Sequence, residues 1–256
     1  MADFESLLTE NYDGLTMQSG EICKKAVLNF IRQMKSLKDR DIIFIKKLTK
    51  VANHLRKAGE LNGLEEKLYQ FNMEGVEKLM ANHIGLDEKC ILNLKSHLFS
   101  YAGNSARAIF ENTGDILWAK RRYDSYHTSA EIVRDSDLKH SAHAYSFAGE
   151  SALIIFKNIN EISWVEKGYQ AYRNSADIFL KFNPKNSAHV FSHAGNSAEL
   201  IGVQNRDKLY ILRAIECYSN FLNYFETNPN SNVSLVMDKV RNNLRFVQIF
   251  LKSLSK

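Results

Sequence analysis

His143-Ala-Tyr-Ser-Phe-Ala-Gly149-Glu-Ser-Ala152 occurs in this chain in three versions. Before it stands His97-Leu-Phe-Ser-Tyr-Ala-Gly103-Asn-Ser-Ala106, and after it His189-Val-Phe-Ser-His-Ala-Gly195-Asn-Ser-Ala198. The glycines recur about every 46 residues, a period that marks stacked repeat architectures. A second signature keeps the same step: Trp118, Tyr123, Tyr126 and Ser129-Ala130 return as Trp164, Tyr169, Tyr172 and Ser175-Ala176. The third copy drifts to Tyr210, Ile215, Tyr218 and Phe221-Leu222.

The spacing of apolar residues predicts two helices per copy. First helices are expected over about 88–111, 139–157 and 186–203, and second helices over about 115–134, 162–182 and 207–226. The connections Asn112-Thr-Gly-Asp115, Asn158-Ile-Asn-Glu161 and Gln204-Asn-Arg-Asp207 hold turn formers and an acid where a helix begins, suited to the orphan N–H groups there. The chain is therefore expected to be all-α: an α-solenoid of antiparallel helix pairs, with repeats over 87–137, 138–184 and 185–229. A helix over about 232–252, within 230–256, is expected to cover the last repeat. Residues 21–86 read as divergent N-terminal helices (21–37, 41–58 and 64–82, the last with Leu68, Phe71, Val76 and Leu79-Met80 as its apolar side). Residues 1–20 read as a loose lead-in. His54-Leu-Arg-Lys-Ala58-Gly59 is a fainter echo of the repeated run. Pro184 and Pro229 are expected between helices, which they cannot continue.

Composition excludes several classes. The net charge of +5 is spread over dispersed residues such as Lys46-Lys47 and Lys120-Arg121-Arg122, read as a solvated surface. That dispersal argues against nucleic-acid binding, which wants a clustered basic face. Cys23, Cys90 and Cys217 are odd in number and far apart, which fits a reducing compartment and gives neither a disulfide framework nor a zinc site. No apolar run is long enough to span a bilayer. The acidic start Met1-Ala-Asp-Phe-Glu is unlike a secretory signal, so a cytoplasmic chain with no membrane insertion is expected.

The two helix types carry different faces. On the second helices, positions 119, 123, 126, 130 and 133 and their counterparts Val165, Tyr169, Tyr172, Ala176, Phe179 and Ile211, Ile215, Tyr218, Leu222, Phe225 form an apolar seam. On the first helices, Phe99, Ala102, Gly103, Ala106 and Ile109 recur as Tyr145, Ala148, Gly149, Ala152, Ile155 and as Phe191, Ala194, Gly195, Ala198, Ile201. Glycine in mid-helix costs about 1 kcal/mol against alanine. Its return in each copy predicts that an aromatic of the partner helix lies against the backbone there. Opposite this seam run His97, Tyr101, Asn104 and Ala108, then His143, Phe147, Glu150 and Ile154, then His189, His193, Asn196 and Leu200, flanked by Ser100, Ser146 and Ser192. A solvated face would be rich in Lys and Glu, whereas aromatics beside short polar groups suit a surface that touches something. That something is either a partner or a further packing layer, such as the N-terminal helices folding back.

Gly114-Asp115-Ile-Leu-Trp-Ala119-Lys-Arg-Arg-Tyr123 resembles the passage into the second helix of a tetratricopeptide repeat, and Gly103 with Phe99 resembles that repeat's first-helix small-residue position. The resemblance covers about 88–226. Tetratricopeptide units are about 34 residues long, and the longer helices here look more like the arrays of SNAP-type adaptor proteins. In the second copy Asn160-Glu161 and Val165 replace the Gly-Asp and the alanine. The resemblance implies a right-handed superhelix whose first helices line a concave groove for a peptide or a helical segment of a partner protein. The groove positions would be His97, Ser100, Tyr101 and Asn104; His143, Ser146, Phe147 and Glu150; and His189, Ser192, His193 and Asn196. The basic residues of a carboxylate clamp are replaced here by His and Ser.

His140/His143 and His189/His193 have helical spacings that can hold a metal, yet no carboxylate or cysteine accompanies them at matching spacing. The repeated His97, His143 and His189 titrate near neutral pH if unperturbed, and duplication alone accounts for their recurrence. No phosphate-binding glycine loop and no nucleophile motif is present. The expectation is a non-enzymatic interaction scaffold or adaptor with no cofactor and no metal, its oligomeric state left open. A regulatory or nucleic-acid-associated helical module, and a metal-binding or enzymatic helical protein, are the alternatives with less behind them.

Overall fold

The computed structural model describes residues 65–81, 88–229 and 233–254. The expectations for 1–64, including the lead-in, the first two helices and the His54 echo, lie outside the described residues. Among the described residues the chain is all helix: α1 Glu65–Ala81, α2 Glu88–Thr113, α3 Ile116–Ile132, α4 Leu138–Ile159, α5 Ile162–Leu180, α6 Pro184–Asn205, α7 Lys208–Thr227 and α8 Ser234–Ser253. The chain divides into two compact units, Met1–Trp118 and Ala119–Lys256.

In the first unit α1 packs on α2, burying Leu68, Phe71 and Val76. The Tyr69 ring meets Trp118 edge-on at 5.2 Å, and Ala106, Ile109 and Trp118 form a small core with Tyr69 and Phe110 packed on it. The second unit is a succession in which α4, α5, α6, α7 and α8 each pack on the next. Every position of the second-helix seam is buried except Ile215, which is half-buried. On the first helices, Tyr145 to Ile155 and Phe191 to Ile201 are buried at every seam position, while Phe99 is only half-buried.

Helix ends follow the turn chemistry. Asp137 accepts from the His140 amide at 2.9 Å, Asn183 from Asn186 at 3.1 Å, Asp115 from Leu117 at 2.9 Å and Asp207 from Leu209 at 2.8 Å. These side chains answer the amides that a helix start leaves open. Glu161 makes no such bond. Gly114, Asn160 and Arg206, at successive steps of the repeat, all adopt a left-handed backbone (φ 69°, 56° and 52°) to leave the first helix. Pro184 does not fall between helices as expected but opens α6, where its missing N–H costs nothing.

The repeated glycines are explained by close approach. A Cβ on Gly149 would lie 2.8 Å from the Tyr172 ring, and one on Gly195 2.6 Å from Tyr218. Each second-helix tyrosine is thus seated on the bare backbone of its partner helix. Buried serines tie neighbouring helices together: Ser141 Oγ donates to the Ala130 carbonyl (3.0 Å), Ser187 to Ala176 (2.8 Å) and Ser175 to Ala142 (2.7 Å). One further step along the glycine row stands Arg241 of α8, which pairs with Glu226 at 3.1 Å and Asp238 at 3.3 Å.

Candidate functional site

The face opposite the glycine seam belongs to α2 in the first unit and to α4 and α6 in the second. In the first unit His97 stacks on Tyr101 with centroids 6.2 Å apart; both are half-buried, as is Asn104, and Ser100 is buried. In the second unit α4 and α6 carry the remaining positions. Side chains three and four residues apart share a helix face, so each helix presents one stripe. On α4 the stripe is Lys139, His143, Phe147, Glu150 and Ile154; on α6 it is Lys185, His189, His193, Asn196 and Leu200.

Aromatic ledges recur along these stripes. Phe147, 40% exposed, leans on Tyr126 of α3 at 5.1 Å, and His193 stacks on Tyr172 of α5 at 5.3 Å with planes 24° apart. His143 meets the Phe179 ring edge-on at 5.0 Å, and His189 meets Phe225 at 5.0 Å, the same contact one repeat on. Burial lowers the pKa of all three histidines. Lys139 adds to that on His143, and Lys185 with His193 on His189. For His193 Lys239 acts in the same direction while Glu150 opposes it. These imidazoles are therefore neutral at pH 7 and present flat, weakly polar rings instead of charges. Burial likewise raises the phenols, Tyr123 to about 12 and Tyr172 and Tyr218 further, so all three keep their protons at neutral pH.

The polar members have defined partners. Ser192 is buried and donates to its own helix at the His189 carbonyl (2.7 Å), which leaves it little to offer a ligand. Ser146 is half-buried. Asn196 is exposed and accepts from the Tyr218 hydroxyl at 2.9 Å and from Asn243 of α8 at 3.2 Å. The Tyr218 hydroxyl also faces Glu199 at 2.5 Å. Since it has a single proton, only one of these two acceptors receives it at a time.

Arg122 corrects the reading of Lys120-Arg121-Arg122 as a solvated run. It is 1% exposed, crosses from α3 to α4 and forms an ion pair with Glu150; its Nε has no acceptor among the described residues. The neighbouring cations are taken up differently. Lys167 lies 4.0 Å from the Trp164 ring centroid and Arg213 4.8 Å from that of Tyr210, so the second helices carry cation–π contacts along their own aromatic row. Cys217 is fully buried and its thiol is pushed up to about 12 by that burial, so it stays protonated and inert. Among the described residues no group of three or more His, Cys, Asp and Glu gathers to hold a metal, and no helix is long and apolar enough to cross a membrane.

No family model matches this chain, and no curated protein does. Among solved structures it is similar to BtubC from P. vanneervenii at 12% identity, with 93% of each chain covered and a TM-score of 0.48. It is also similar to the DHF58 filament (12% identity, 92% of this chain and 98% of that one, TM-score 0.37) and to the de novo designed helical repeat protein DHR64 (12%, 93% and 99%, TM-score 0.30). Identities this low, with TM-scores below 0.5, carry nothing over to this chain.

Proposed function

We propose that this chain is a non-enzymatic interaction scaffold, a cytoplasmic adaptor of tetratricopeptide-like form. Its helix pairs continue as a right-handed superhelix with a step of about 46 residues. The first helices bind a peptide or a helical segment of a partner protein. The observation that supports this best is the exposed stripe on α4 and α6, where Phe147 and Leu200 stand 40% and 37% exposed among neutral rings. Such side chains gain by being covered, at about 25 cal/mol per Å² of apolar surface. His143, Ser146, Phe147, Glu150, His189, Ser192, His193 and Asn196 are the proposed contact positions, with His97, Ser100, Tyr101 and Asn104 their counterparts one repeat earlier. Ser192 and Ser100 contribute through packing.

Co-purification tests the reading. Proteins recovered with the wild-type chain are compared by quantitative mass spectrometry with those recovered by Tyr101→Ala/Phe147→Ala/His193→Ala. The expected result is loss of a specific partner at unchanged helicity. Retention of every partner by a folded triple variant overturns it.

A further inference from the structure

The charges on the first-helix stripes point beyond a generic peptide site. Lys139 and Lys185 stand one turn before His143 and His189 on α4 and α6, and both are exposed. Lys239 of α8, also exposed, occupies the next place in the row that begins with Phe147 and His193, and lies close enough to His193 to oppose its protonation. None of the three lysines forms an ion pair among the described residues, where the pairs are made by other side chains. The acids carried by these three helices, with the cap of α4, are all engaged. Glu150 pairs with buried Arg122, Glu199 faces the Tyr218 hydroxyl, Asp238 pairs with Arg241 and Asp137 caps α4. The apolar ledges Phe147, Leu200 and, on α8, Phe246 thus share their helices with cations that no acid of those helices answers.

We infer that the occupant of this face is an acidic segment bearing apolar anchors, its carboxylates met by Lys139, Lys185 and Lys239 and its apolar side chains laid on Phe147 and Leu200. The inference rests on the interaction reading above. Charge complementarity of this kind steers encounter and selects partners, and rim contacts of this sort weaken with salt.

A library of random displayed peptides is selected on the full chain and counter-selected on Phe147→Ala/Leu200→Ala. The enriched peptides are synthesised with their Asp/Glu intact or replaced by Asn/Gln and measured by fluorescence anisotropy. Expected are peptides rich in Asp and Glu around apolar residues. The amide versions should bind at least tenfold more weakly, and Lys139→Glu/Lys185→Glu/Lys239→Glu should erase that difference. All three lysines are exposed, so this variant should fold as wild type does. Enriched peptides that depend on Phe147 and Leu200 but bind equally as acids and amides overturn the acidic occupant and leave the interaction reading standing. No enrichment on the wild-type face removes both.

Discussion

The α3–α4 junction and the α5–α6 junction use one frame and solve it differently. At the first, Arg122 enters a buried position and meets Glu150, and Phe147 leans on Tyr126. At the second, one repeat on, the corresponding places hold Gly168 and Asn196, and a neutral imidazole, His193, stacks on Tyr172. A Cβ on Gly168 would lie 3.4 Å from Ala152 and Leu153 of α4, so where α3 carries a guanidinium α5 lies close against the first helix of its own pair. What both retain is the pair of buried serine-to-carbonyl bonds, from Ser141 to Ala130 and from Ser187 to Ala176. The backbone approach is fixed; the filling of the gap varies.

Removing one member of the ion pair should break that equivalence most severely. Glu150→Ala leaves a guanidinium buried without its carboxylate and should cost about 3 kcal/mol, read as a lowered urea midpoint. Arg122→Ala/Glu150→Asn, which gives the first junction the residue types of Ala214 and Asn196, should recover most of that loss. If the double variant is as unstable as the single, the two junctions are not interchangeable. Smaller losses are expected from Gly149→Ala and Gly195→Ala. Each forces a tyrosine ring off its seat, for about 1–2 kcal/mol after allowing for alanine's better helix propensity. Matching losses in thermal melts would mark the glycine seam as common to both repeats, and a neutral effect at either would remove the seating argument there.

The histidine contribution is smaller and pH-dependent. His143, His189 and His193 have folded pKa values below the unfolded reference of about 6.5. The unfolded chain therefore binds more protons in the window below that reference. Stability is fully present above about pH 6.5 and declines as the pH falls towards the folded values. His143→Gln/His189→Gln/His193→Gln should flatten the melting temperature between pH 7.5 and 5.5; an unchanged slope would assign the dependence elsewhere. Least of all, Arg206→Gly should raise stability by up to about 1 kcal/mol by relieving a left-handed backbone on a side-chain-bearing residue. Gly114→Ala should lower it by a similar amount.

The helix pairs were legible because the same run of residues recurs: the first helix expected at 139–157 spans Leu138–Ile159, and the second at 162–182 spans Ile162–Leu180. The glycine seat was legible too, since only a close neighbour repays a mid-helix glycine. Arg122 was not, because a basic triplet in isolation reads as surface. Its signal lay in register, where the positions one and two repeats on are Gly168 and Ala214, small residues of a packed row. The odd acid at Glu150 among Asn104 and Asn196 marked its partner. On the candidate face the rings could be placed by period, whereas Lys139, Lys185 and Lys239 were not singled out, being isolated basic residues in a chain of dispersed charge. The inward turn of Ser192 and the hold of Asn243 on Asn196 depend on rotamers and on a helix outside the repeated pattern.

Arg241 bears on how another repeat could stack on α8. Stacked repeats bury like against like, so such an array has no intrinsic reason to stop growing. At the place where Gly149 and Gly195 each admit a tyrosine, α8 offers a guanidinium held by Glu226 and Asp238. A further hairpin of the same pattern, whether gained by gene duplication or supplied by another copy of the chain, would bring its tyrosine to an occupied seat.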